Sequence, residues 1–158
     1  MQALEKILHP KKITPAEIKY ADIAGASKEF GKGEGMAGQF LNYLSNADAL
    51  LEVIRVFEDE KIPHIEGSVD PKRDVVTLDL EIAFSDLTII ERRLQRLETT
   101  LKGAKPSESE LLRREQALLQ KIKAELEKGI PIRQQALSEG EIKRLSNYQF
   151  LTAKPRLI

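Results

Sequence analysis

The chain has 158 residues, 25 Lys+Arg against 25 Asp+Glu, and no cysteine. That is the size of one ordinary domain, or of one domain carrying an insertion, and it suffices to bury a real core. Zero formal net charge removes any global field toward nucleic acid or anionic membrane, and the lack of cysteine excludes disulfides, thiolate metal sites and thiol catalysis.

In chain order, residues 3–8 read as a short helix stopped by Pro10, and residues 16–22 as a strand. The strand ends in Asp22-Ile23-Ala24-Gly25 and opens into a loop holding Gly31, Gly33 and Gly35, with Gly38 beyond it. A strand that ends in Asp-x-x-Gly and runs into glycines is the layout of a nucleotide switch. The Asp holds a Mg²⁺-bound water, the Gly amide faces a γ-phosphate, and the loop orders or relaxes with that phosphate. Four residues of this kind also occur by chance at an ordinary strand-end turn. Met36 to Leu44 then reads as a helix. Asp48 to Phe57 is a near-continuous apolar run, which predicts a parallel strand covered on both faces, with Glu52 and Arg55 needing partners or an exposed edge.

At Asp70-Pro71 the texture changes. Asp70 is suited to an N-cap and Pro71 to the first helical position. Leu80, Ala83, Leu87, Ile90, Leu94, Leu97 and Leu101 then alternate steps of three and four, a heptad seam. Gly103 to Pro106 breaks it. Ser107 with Glu110 predicts a capping box for a second helix carrying Leu112, Leu119, Ile122 and Leu126 and stopping at Gly129. Two long amphipathic helices across a short break predict an antiparallel hairpin. A second capping box, Ser138 with Glu141, starts a last short helix. The closing run from Phe150 to Ile158 reads as a strand only begun, and the C-terminus as a cut.

Taken in order and spacing, a set of pieces carries a family resemblance. They are Asp22-Ile23-Ala24-Gly25, Gly31-Lys32-Gly33-Glu34-Gly35, Phe40-Leu41, Val56-Phe57-Glu58-Asp59, Glu66-Gly67, Val69-Asp70-Pro71 with Asp74, and Leu151-Thr152-Ala153-Lys154-Pro155. From about Leu4 to the last residue the chain resembles the YchF group of Obg-related P-loop NTPases, the Obg-like ATPases. The resemblance implies an α/β fold: a partial P-loop NTPase parallel sheet with an inserted antiparallel α-helical coiled-coil hairpin. Residues 1–69 and 130–158 would form the incomplete nucleotide-binding core and residues 70–129 the helical insertion. It implies ATP or GTP hydrolysis with Mg²⁺ in the parent, Asp22 acting through a Mg²⁺-bound water and Gly25 on the γ-phosphate side. It also implies ribosome association and a cytoplasmic location.

Departures from the pattern shape the expectation. No Gly-x-x-x-x-Gly-Lys-Ser/Thr phosphate loop occurs in these residues, and neither does the family's base-reading Asn-x-x-Glu-type motif. The chain is therefore read as the middle of the enzyme, unable to bind nucleotide or retain Mg²⁺ alone, and its sequence does not distinguish ATP from GTP. Ala26 stands where the family usually carries Leu, Ser27 to Phe30 departs from the usual loop sequence, and Glu52 stands where His is usual.

The alternative is a helical interaction module. Between Arg92 and Arg114 lie seven basic residues, including Arg92, Arg96, Arg113 and Arg114, against Glu98, Glu108 and Glu110. Such a patch either meets RNA phosphates or is a solvated helix surface. His9 and His64 lack metal-ligand spacing, and Glu58-Asp59-Glu60 reads as a solvated loop. No membrane partner is expected. Self-association through exposed sheet edges is.

Overall fold

The computed structural model describes residues 6–22, 36–64 and 66–158. Among them four helices and two short strands are defined: α1 (Met36–Asn46), β1 (Leu50–Leu51), α2 (Pro71–Leu101), α3 (Pro106–Leu126), α4 (Glu139–Leu145) and β2 (Arg156–Leu157). Three-residue 3₁₀ turns at Ile132–Gln134, Ser146–Tyr148 and Leu151–Ala153 join the last elements. Of the short helix predicted over residues 3–8, residues 6–8 are helical and residues 3–5 lie outside the described residues.

The start of α2 follows its chemistry. The Asp70 carboxylate accepts the Arg73 amide at 3.1 Å, and Pro71 takes the first helical position, where a missing N–H costs nothing. The Ser138–Glu141 capping box also forms, with the Glu141 carboxylate accepting the Ser138 amide at 2.7 Å and Ser138 Oγ accepting the Glu141 amide at 3.3 Å. The start of α3 differs from expectation. The helix begins at Pro106 with Lys105 as N-cap and no side-chain capping bond, because the proline itself supplies the preset φ for a first turn. Its end passes through Gly129 at φ +81, where the Ile130 amide reaches back to the Glu125 carbonyl at 3.0 Å.

Helices α2 and α3 pack on each other through one core. Ile90 and Leu97 meet Leu118, Leu119, Ile122 and Leu126, with Ile132, Leu145 and Phe150 closing the far side and Leu94 and Leu112 packed against it. Ion pairs Arg93–Glu115 and Glu91–Lys123 cross between the two helices. Of the predicted seam, Leu87, Ile90, Leu94 and Leu97 enter this core, whereas Leu80 is 53% exposed. The reason is length: α2 has 31 residues against 21 in α3, so the seam outruns its partner.

A second, smaller core gathers Leu50, Ile82 and Leu151, with Leu41, Leu44, Ala47 and Leu78 against it. Here β1 and β2 pair in parallel, Leu50 opposite Arg156 and Leu51 opposite Leu157. The Leu50 amide donates to Pro155 and the Glu52 amide to Leu157, both at 2.9 Å.

Two strand expectations are corrected. The run from Asp48 to Phe57 pairs only at Leu50–Leu51, and Val53 is 90% exposed rather than covered. Residues 16–22 form no strand, and Tyr20 is 79% exposed. An apolar β-prone run becomes a strand only where a neighbour takes its amides and carbonyls, and among the described residues β1 and β2 have only each other.

Candidate functional site

Of the predicted switch pair, Asp22 is described and Gly25 is not. Asp22 lies in exposed, irregular chain. Gly25 and the loop glycines Gly31, Gly33 and Gly35 lie outside the described residues. Among the described residues no three His, Asp or Glu side chains gather where they could hold a metal ion. One exposed carboxylate is not a coordination shell for a hard cation that demands near-octahedral oxygen ligands. The described residues do not by themselves fit Mg²⁺.

The stretch Leu151-Thr152-Ala153-Lys154-Pro155 is a structural junction. Its 3₁₀ turn is capped from α2: the fully buried Asp86 accepts the Leu151 amide at 2.9 Å and the Thr152 amide at 2.8 Å. Thr152 Oγ1 accepts the Ile132 amide at 3.3 Å. Lys154 Nζ donates to the Ser45 carbonyl at 3.0 Å and the Ala47 carbonyl at 2.6 Å, satisfying free carbonyls at the end of α1. Pro155 then begins the pairing with β1. Burial pushes the Asp86 carboxyl above its ordinary value, while its bonds from Thr152 and Leu151 and the charge of Lys154 pull it back.

Beside this junction Glu52, the interruption in the apolar run, finds its partner. Its buried carboxylate accepts from Arg156 at 3.2 Å, and the same guanidinium also binds Asp79 on α2. Burial raises the Glu52 carboxyl, Arg156 lowers it and Asp79 raises it; its second oxygen, Oε2, has no hydrogen-bond partner. Arg55 instead folds its own loop, donating to the carbonyls of Phe57 and Ile62 at 2.8 Å and of Asp59 at 3.2 Å.

The basic surface lies on the helical pair. Arg92 and Arg96 are exposed and line one shallow depression on α2 together with Arg93, Gln95, Thr99 and Thr100. Arg113 and Arg114 are exposed on α3. Arg114 pairs with Glu110 one turn earlier, whereas Arg92, Arg96 and Arg113 have no ion-pair partner among the described residues. Arg93, counted with the patch in sequence, is committed to Glu115 by two bonds of 2.7 and 2.9 Å. Tyr148 donates its hydroxyl to the same carboxylate. The Arg93 bonds hold the Glu115 carboxyl below its ordinary value, and burial with the Glu115 bond raises the Tyr148 phenol to about 12.

Asp86, Asp79 and Glu115 carry no motif that singles them out in the sequence. A signal existed for Asp86: it is an acid one turn from both Ile82 and Ile90, on the buried face of an amphipathic helix.

No protein-family model matches the chain. Curated relatives do. The chain is 37% identical over 158 residues to a ribosome-binding ATPase YchF of Haemophilus ducreyi, covering 99% of this chain and 42% of that protein. It is 34% identical over 157 residues to the ribosome-binding ATPase YchF of Bacillus subtilis, with the same two coverages. It is 35% identical over 150 residues to Obg-like ATPase 1 of Oryza sativa subsp. indica, covering 95% of this chain and 37% of that protein. Among solved structures, the Schizosaccharomyces pombe YchF GTPase superposes with a TM-score of 0.69 at 36% identity, over 85% of this chain and 35% of that one. The chain thus spans well under half the length of the relatives it matches. Over the stretch it shares with them, the chain is similar in both sequence and fold to the YchF / Obg-like ATPases.

Proposed function

We propose that these residues form the switch-side core and the projecting helices of a YchF-like, ribosome-associated ATP or GTP hydrolase of the cytoplasm, and that they do not grip nucleotide by themselves. The observation that carries this reading is identity of 37% across 99% of the chain to a ribosome-binding YchF ATPase. Residues 1–69 and 130–158 make the core, and residues 70–129 make an inserted coiled-coil hairpin. In the whole protein Asp22 and Gly25 would lie on the γ-phosphate side of the nucleotide, Asp22 being the residue that would hold a Mg²⁺-bound water. Chemistry of this kind rests on positioning and charge neutralisation, and most of the grip on β- and γ-phosphates comes from a phosphate loop and its Lys. These residues contain no such loop. Calorimetric titration with ATP and with GTP, each with Mg²⁺, should give no measurable heat of binding at millimolar nucleotide. A micromolar dissociation constant would refute the reading.

A second reading is favoured by one observation: Arg92, Arg96 and Arg113 are exposed without ion-pair partners among the described residues. On it, the helical pair acts as an interaction module that binds RNA or ribosomal protein, independently of nucleotide.

A further inference from the structure

Glu52 interrupts the apolar run where the strand pair meets the long helix. Its side chain is 4% exposed, and its Oε1 accepts from Arg156 Nη1, on β2, at 3.2 Å. The same nitrogen also binds Asp79 on α2, so one guanidinium serves two acids. The second Glu52 oxygen, Oε2, is buried and has no hydrogen-bond partner among the described residues. From this arrangement we propose that Glu52 takes up a proton from water on Oε2, and that this proton decides how Arg156 is shared. With the proton bound, Arg156 belongs to Asp79 and ties β2 to α2. With the proton released to water, Arg156 is drawn toward Glu52 and ties β2 to the end of β1.

Two features make Glu52, rather than Asp79, the acid that takes the proton. The first is burial. Asp79 keeps 44% of its side chain exposed, so water solvates its charge, whereas Glu52 is enclosed and its Oε2 has no donor. The second is the charge count. Among the described residues the charged groups that face Glu52 are Arg156 on β2, Asp79 on α2 and Arg133 on the 3₁₀ turn at Ile132–Gln134. Two carboxylates around one shared guanidinium leave a negative charge in excess, and a like charge nearby disfavours ionisation of the more buried acid. Arg133 offsets only part of that excess, because its own bond goes to the Thr152 carbonyl at 3.4 Å and not to Glu52. A proton on Oε2 removes the excess at the atom that lacks a partner and leaves Oε1 free to accept from Arg156. Burial, opposed by Arg156 and reinforced by Asp79, holds the Glu52 carboxyl above its ordinary value, in agreement with this geometry.

Carbon-13 NMR titration of the Glu52 side-chain carboxyl in the 158-residue chain tests this directly. The midpoint should lie above the ordinary value of 4.5. Asp79→Asn, at a side chain that is partly exposed, should move that midpoint down, because Arg156 then serves Glu52 alone. Thermal melts give a second readout. A carboxyl raised in the folded state contributes stability that is fully present below the ordinary pKa and is lost as pH rises through the raised one. Wild type should therefore lose stability relative to Glu52→Gln, which holds the uncharged form, as pH rises from about 4 toward neutral. A Glu52 midpoint at or below 4.5 overturns the inference. So does a gap between wild type and Glu52→Gln that stays constant with pH. A midpoint that Asp79→Asn leaves in place also overturns it, since Arg156 would then not be shared. Should Glu52→Gln fail to fold, the two titrations, in wild type and in Asp79→Asn, decide the matter without it.

Discussion

The Asp86 carboxylate accepts the backbone amide of Thr152 at 2.8 Å across 66 positions of sequence. That contact sits where the two cores meet. One turn before Asp86, Ile82 belongs to the smaller core, and one turn after it Ile90 belongs to the larger; on the other side Leu151 and Phe150 divide the same way. A single buried acid thus fixes the C-terminal turn to the long helix and holds the two cores in register.

Asp86→Ala should therefore be costly. It leaves the Leu151 and Thr152 amides buried with no acceptor, and each unsatisfied group costs about 1–3 kcal/mol. Relief of the burial cost of the charge offsets part of that, so a net loss of about 2–4 kcal/mol is expected by urea denaturation. Asp86→Asn, which keeps one acceptor oxygen, should fall between. A loss of under about 0.5 kcal/mol for the alanine variant, the range of ordinary surface substitutions, would mean that the cap carries no weight.

The helical pair makes a second prediction. Leu97 is fully buried between α2 and α3, whereas Arg96 beside it is exposed. Leu97→Ala should cost about 3 kcal/mol, combining lost transfer energy with a residual cavity. Arg96→Ala should stay within about 0.5 kcal/mol. Equal melting temperatures for the two variants would show that the interface is not closed in solution.

Acid should weaken the contact between the helical pair and the C-terminal turn. The Glu115 carboxyl is held below its ordinary value of 4.5 by Arg93, and Glu141 is lowered to about 2 by the Ser138 amide and Lys121. A carboxylate depressed in the folded state contributes stability that is fully present above the unfolded pKa, and that is lost as pH falls through the folded value. Both contributions should thus be complete above about pH 4.5 and fade below it. Asp86 and Glu52, raised by burial, act in the opposite sense, losing stability as pH rises from the ordinary acid value through the raised one. In melts recorded from neutral pH down to about pH 3, the gap between wild type and Glu115→Gln should narrow below about pH 4.5. A gap that stays constant would show that Glu115 has the same pKa folded and unfolded.

Local signals were legible in the sequence and long-range ones were not. Asp70-Pro71 and Ser138 with Glu141 each announce a helix start, because the groups that satisfy the first free amides lie within three residues of one another. The apolar run at Asp48–Phe57 has the composition of a full strand but pairs only at Leu50–Leu51. Its hydrophobicity is real, but pairing depends on Arg156–Leu157, more than a hundred residues away. Leu80 has the period of the seam, but the partner helix, at 21 residues against 31, is too short to cover it. At the candidate site, charge counts identified the basic patch. They did not show that Arg93 is spent on Glu115 and Arg114 on Glu110, since that depends on where two side chains meet.

That division of the arginines sharpens the prediction for ribosome binding. If the helical pair meets RNA, the guanidiniums free of acidic partners should supply the phosphate contacts, and affinity should fall steeply as salt displaces them. Arg92→Ala, Arg96→Ala and Arg113→Ala combined should weaken cosedimentation with ribosomes and reduce the slope of log affinity against log salt by about two to three. Arg114→Ala alone should do much less, because Glu110 already neutralises that charge across one turn. All four positions are exposed, so folding should survive every variant, which a thermal melt run alongside would verify. Two results would return the patch to a solvated helix face: no cosedimentation at low salt, or a salt slope unmoved by the triple replacement. If Arg114→Ala proved as damaging as the other three together, the Glu110 pair would have to open on binding, and its acid would then face the ribosome unpaired.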